Sequence, residues 1–418
     1  GIGQNALELN TTGTQNTAIG ALALDANTTG TENSSLGYEA LSSCTTGSHN
    51  TGIGHDALES LTTGSFNTAL GRDAGRLITD GASNVCLGQN ANDAANTANV
   101  TACGAFAASS NTANDITAFG YFSLKANTSG TKNTAVGFEA LENNTTASNN
   151  TAVGYQALEE NTTGTENVAV GAFALDANTT ANRNSAFGYF TLSNNTTGTQ
   201  NTGIGHGALA NNTTASNNTS VGYNCLAANT TGSENVAVGA NALDANTTGE
   251  KNVAMGVDAL GQLTTANRCT AIGNFCMANG NVTGSNNTAV GDNALRELTS
   301  GTDNTSVGHE AGRNLTTGSN NTLIGHDAGT ANSPSGNTTT GSNVVCLGDS
   351  NVQFLCAATS TITTSDARDK TNVQDFSQGL SWINSLRPVT YKWDRRSWYG
   401  TKEEPYGTPD GSKKQSRT

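Results

Sequence analysis

Every seventeen residues this chain begins again. Residues 150–166 read Asn-Thr-Ala-Val-Gly-Tyr-Gln-Ala-Leu-Glu-Glu-Asn-Thr-Thr-Gly-Thr-Glu, and Asn167 opens the next copy. With the first glycine as anchor, copies fall at Gly3, Gly20, Gly37, Gly54 and onward to Gly308, Gly325 and Gly348. The step is 17 almost throughout, with 16 at Gly104 and Gly120, 18 at Gly291 and 23 at Gly348. A fixed period in this range means stacked supersecondary units, each unable to bury its apolar face alone.

The residue before the anchor glycine is apolar from Ile19 to Leu347. The third residue after it is nearly always small, as in Ala23, Ala140 and Cys225, and the fourth is usually leucine, as in Leu24, Leu141 and Leu158. Two bulky anchors per unit are therefore expected to face a core. One unit alone buries far too little to offset chain entropy, so the core must be shared between neighbours.

The unit reads as β. Seventeen residues rich in Thr, Asn and Gly, with an Asn-Thr-Thr-Gly or Asn-Thr-Thr-Ala turn, cannot hold two helices. Asn-Thr-Ala-Val-Gly is a short strand, and the turn and the Ala-Leu segment bring the chain back. Parallel strands stack about 4.8 Å apart, so about twenty coils predict a rod ~95 Å long. The asparagine four residues before the anchor (Asn16, Asn33, Asn50, Asn133, Asn150) would stack into an amide ladder. The fold class expected is all-β: a parallel β-solenoid or β-roll over 1–350, with small residues beside the strand suiting a fibre of several chains.

Only 34% of the residues are hydrophobic, too few for a compact globule of this length but enough for a thin solenoid. Residues 1–360 carry 26 acids and 9 bases, whereas residues 361–418 carry 7 acids and 10 bases. An acidic rod argues against nucleic acid and anionic membrane as partners. No apolar run is long enough to insert in a membrane as a helix. The eight cysteines occupy unrelated phases of the repeat and read as small core hydrophobes, compatible with assembly in a reducing cytoplasm. The Asn-Thr-Thr tracts read as turns rather than glycosylation sites. Glu159-Glu160 reads as solvated loop charge.

Residues 72–120 are degenerate, with the ladder asparagine replaced by Val100 and Ile116, and a kink or local decoration is expected there. Residues 329–343 form a longer loop holding Pro334. Residues 351–364 are a linker, and beyond it lie Trp382, Trp393 and Trp398. Asp375–Leu386 has a helical pattern ended by Pro388, and Val389–Trp393 reads as a strand, giving a small α+β segment over 365–418. The start at Gly1, within a repeat, reads as a chain lacking its N-terminal part.

Four of five histidines follow an anchor glycine: His55, His206, His309 and His326. Lacking any clustered carboxylate or thiol partner, they read as exposed or stacking side chains, and no metal or cofactor is assigned. The same positions hold Tyr38, Tyr121, Phe138, Tyr155, Tyr189 and Tyr223. Such rows can stack on sugar rings or seal chains together, and packing is the favoured reading.

Two resemblances follow from these residues. The Asn-Thr-Ala-Val-Gly-x-x-Ala-Leu coil resembles the head repeats of trimeric autotransporter adhesins, which are parallel β-rolls in trimers with shorter turns. Ser365-Asp366-Ala367-Arg368-Asp369-Lys370-Thr371-Asn372-Val373, with Gly379-Leu380, Leu386-Arg387-Pro388-Val389 and Tyr391-Lys392-Trp393, resembles the start of the intramolecular chaperone of endosialidase-type phage tailspikes and fibres. That family drives trimerisation of a β-rich fibre and then cuts itself off. The resemblance implies Ser365 as nucleophile, Lys370 as its base and cleavage between Thr364 and Ser365. It also implies a homotrimer and a truncated chaperone. The function expected is the shaft of a phage tail fibre or tailspike in the virion, beside other tail or baseplate proteins, attached to a polysaccharide or protein receptor on a bacterial host. The alternatives are a bacterial trimeric surface adhesin and, behind it, a tailspike that degrades host glycan.

Overall fold

The computed structural model describes residues 1–94 and 96–352. They form twenty short strands, β1 (Thr17–Ile19) to β20 (Val345–Leu347), all in one parallel sheet. Each strand pairs with the next in sequence and in register: Thr151, Ala152 and Val153 of β9 (Thr151–Val153) face Val168, Ala169 and Val170 of β10 (Val168–Val170). The expected all-β solenoid is therefore the fold, and no helix occurs among the described residues.

One coil shows why the unit needs neighbours. Around Gly154, the residues Asn149, Gln156 and Leu158 all sit at left-handed φ of 63°, 52° and 53°. Each such residue costs about 1–2 kcal/mol for an L-amino acid. The cost is offset only between coils. Thr151 N–H donates to Asn167 O at 2.9 Å, Leu158 N–H to Ala174 O at 3.0 Å, and Gly154 N–H back to Val136 O at 2.8 Å. Leu158 is fully buried, and burying a leucine contributes about 2–3 kcal/mol.

The anchor glycine is demanded twice over. Gly154 has φ of +146°, and a β-carbon there would lie 2.3 Å from Gly171 O in the next coil. Stacked glycines thus form a backbone-on-backbone column that no side chain can enter.

The core differs from expectation at one of its two anchors. The central strand residue points inward and is small: Ala152, Ala169, Gly203, Ser220. Leucines such as Leu141 and Leu158 fill the remaining interior. The apolar residue before the glycine faces out, half-buried at Val136 and Val153 and exposed at Ile19 (39%) and Phe119 (54%). Strand alternation forces this, because a centre turned inward turns both flanks outward.

The asparagine ladder before the strand is present, with a particular wiring. Asn150 accepts the backbone N–H of Asn167 at 2.9 Å through Oδ1, and its Nδ2 donates to Gly164 O at 2.8 Å. A second ladder, at the turn asparagine, runs side chain to side chain: Asn161 Nδ2 donates to Asn144 Oδ1 at 2.9 Å, and Asn178 Nδ2 to Asn161 Oδ1 at 2.8 Å. It continues unbroken from Asn111 to Asn246. Asparagine was legible there only as a turn former.

The degenerate stretch keeps the stack. β6 (Val100–Cys103) and β7 (Ile116–Phe119) each gain a residue, and Val100 pairs with Ile116. Apolar side chains replace the ladder amides, and the strand lengthens by one pair. Val100 N–H still donates to Asn84 Oδ1 at 3.1 Å, so that ladder ends without an orphan.

Candidate functional site

The outward face of the sheet is the largest unpartnered feature. No strand residue from β1 to β20 is charged, although 12% of the chain is Asp, Glu, Lys or Arg. Its two outward columns are Thr, Ser or Val at the strand start and Ile, Leu, Val, Phe or Met at its end. Ile204, Phe187 and Met255 keep 42%, 41% and 43% of their surface in solvent. A continuous apolar patch on this scale marks an interaction surface.

An aromatic row runs beside it, one residue past the anchor glycine. Tyr121, Phe138 and Tyr155 stack face to face with centroids 5.4 Å and 5.2 Å apart. Tyr189, His206 and Tyr223 continue that column, and Phe173, two residues past Gly171, bridges Tyr155 to Tyr189 edge-on. His309 stacks on His326 at 5.2 Å, close to the one-strand spacing expected from the sequence.

The described cysteines other than Cys103 are buried, as their reading as small hydrophobes suggested, whereas Cys103 ends β6 on the outward side and is half-buried. Burial pushes the thiols of Cys86 and Cys276 up to about 12 and those of Cys44 and Cys225 to about 11. None of these four is a thiolate near neutrality, so none is a nucleophile.

Two carboxylate groupings depart from the sequence reading. Glu159 is not freely solvated: burial first, then Glu139, Glu160, Glu142 and Asp176, raise its carboxyl to about 7. Glu142 pairs with Lys125 Nζ at 3.0 Å, and Glu139 accepts from Gln156 Nε2 at 2.9 Å. His326 does have carboxylate neighbours, namely Asp327 and Asp349. Asp327 is its neighbour in sequence, but Asp349 lies 23 residues downstream and reaches His326 only through the pairing of β19 (Thr322–Ile324) with β20.

The C-terminal motif is decided by comparison with known families. Residues 365–414 match the family described as chaperone of endosialidase. This chain carries an endosialidase chaperone segment at its C-terminus. No curated protein and no solved structure matches the chain. The match to the chaperone family begins at Ser365, the residue read as nucleophile. Ser365, Lys370, the helix at Asp375–Leu386 and the strand at Val389–Trp393 all lie outside the described residues. Solenoid and chaperone segment together fit a structural protein of the phage-fibre type. Among the described residues no helix is long and apolar enough to cross a membrane.

Proposed function

We propose that this protein is the shaft of a phage tail fibre or tailspike, a homotrimer that attaches the virion to a bacterial surface. The observation that carries this reading is the uncharged outward face, with an apolar column at the strand ends, that persists through all twenty strands. A row that long, exposed on one chain, is stabilised by burial against equivalent rows of other copies. Strand faces meet with no charge to desolvate, and the stacked rings from Tyr121 to Tyr223 add area beside them. The chaperone segment supplies what such an assembly needs, since parallel in-register stacking is slow and exposes apolar edges on the way.

Release of the chaperone follows from its first residues. The Ser365 hydroxyl attacks the carbonyl of Thr364, Lys370 takes the hydroxyl proton and returns one to the departing amine, and an ester forms. Water then hydrolyses the ester, freeing the shaft ending at Thr364. A desolvated lysine amine serves as such a base near neutral pH.

Denaturing gels and intact mass of the full-length protein, beside Ser365→Ala, test the proposal. A heat-resistant trimer with a cleaved chaperone, uncleaved in the variant, is expected. An intact monomer in both would overturn it.

A further inference from the structure

We propose that His326, Asp327 and Asp349 form a binding site for one divalent transition-metal cation of the zinc type, clamping the last two coils together. His326 and Asp327 follow the anchor Gly325 after β19, and Asp349 follows Gly348 after β20. Pairing of Ile324 with Leu347 brings the two corners one strand spacing apart. His326 Nδ1 lies 3.5 Å from Asp327 Oδ2 and 3.7 Å from Asp349 Oδ2, and all three ligand atoms fall within 4.8 Å of one another. Zinc bonds of about 2.0–2.1 Å in a tetrahedron place ligand atoms about 3.3 Å apart, so His326 Nδ1 stands within about half an ångström of that spacing from each carboxylate.

The second observation is Asp327 itself. It is only 8% exposed, and its Oδ1 has no hydrogen-bond partner. Its Oδ2 accepts only Asn332 Nδ2, at 3.2 Å. A carboxylate held this deep is costly unless a cation faces it. The surroundings are those of a supported ligand set. Asn332 orients Asp327, Asn351 donates both its backbone N–H and its Nδ2 to Asp349 at 2.9 Å and 2.8 Å, and His309 stacks on the His326 ring.

Two other groupings lack part of this. At His55, Asp56 and Asp73 the aspartate Asp73 is already paired with Arg72 Nε at 3.1 Å. Glu139, Glu142 and Glu159 bring no imidazole, and Lys125 neutralises one of them. Asp56 of the first grouping shares the orphaned oxygen, and Asp25 and Asp176 share it outside any such grouping, so the arginine beside Asp73 is what sets the His55 corner apart. The position explains the use: residues 329–343 break the period between these coils, and an ion bridging 326, 327 and 349 restores the link across that loop.

Cobalt(II) titration of chelator-treated full-length protein, followed by visible absorption, is the test. We expect one equivalent with tetrahedral cobalt bands, displaced by zinc, and slower hydrogen exchange over 322–349 when zinc is present. His326→Ala and Asp349→Asn, both at accessible side chains, should abolish the bands and the protection, and His55→Ala should leave them. Octahedral cobalt only, unchanged binding in His326→Ala and Asp349→Asn, or loss only in His55→Ala would each overturn the assignment.

Discussion

Leu323 fills the space that Gly312 leaves. A β-carbon on Gly312 would sit 2.7 Å from Leu323 Cδ1, and one on Gly329 would sit 3.0 Å from the same atom. In most coils the leucine stands four residues past the anchor and the strand centre is small; here the two have exchanged places. Leu323→Ala alone should open a cavity costing about 2–5 kcal/mol. Gly312→Leu alone should overpack the same space and force a strained left-handed residue. The double substitution restores the usual arrangement and should be more stable than Gly312→Leu, read as hydrogen exchange at β18 (Thr305–Val307) and β19.

The two glycines of a coil should differ sharply. Gly154→Ala meets Gly171 O at 2.3 Å with φ at +146° and should cost roughly 3 kcal/mol or more in urea unfolding. Gly164→Ala also meets a backbone oxygen, Ala181 O at 2.3 Å, but at an ordinary φ and in a slot that Ala147 and Ala181 fill in adjacent coils, so it should cost less than Gly154→Ala in the same titration.

The turn ladder predicts a position effect. Its last member, Asn246, faces Leu263 and leaves Oδ1 without a partner, and Asn27 facing Cys44 does the same. Asn246→Leu only moves that orphan back to Asn229. Asn161→Leu creates a new one at Asn144 and should be the worse of the two by about 1–3 kcal/mol. Paired denaturant titrations decide it.

Glu159 makes the solenoid pH-sensitive in an unusual direction. Its folded carboxyl titrates at about 7 against an ordinary 4.5, and Asp176 is raised to about 6, both chiefly by burial. The folded state therefore holds more protons than the unfolded one between those values, and stability falls as pH rises through the window. Thermal melts should show Glu159→Gln raising the midpoint at pH 8 and leaving it unchanged near pH 4.

Assembly should fail before folding does if the outward face is charged. Ile204 lies on that face and is 42% exposed. Ile204→Glu should keep the wild-type circular dichroism while light scattering shows a smaller oligomer. An unchanged trimer would mean that this face is not the seam.

The period, the β character and the strand positions were all legible, because each follows from one residue recurring in one slot. The grouping around His326 was not, because Asp327 is its neighbour in sequence but only strand pairing across a 23-residue step brings Asp349 to it. The outward apolar column was misassigned to the core for a related reason. A three-residue strand such as Thr151–Val153 has one small centre between two larger flanks, and its composition does not say which side is inside.

Sequence by itself determined that the chain stacks, how often, and that an endosialidase chaperone segment follows the stack. Only the tertiary structure decided which way each strand faces. The interior has room for Leu158 plus one small residue per coil, so alanine is drawn in and valine is turned to the surface.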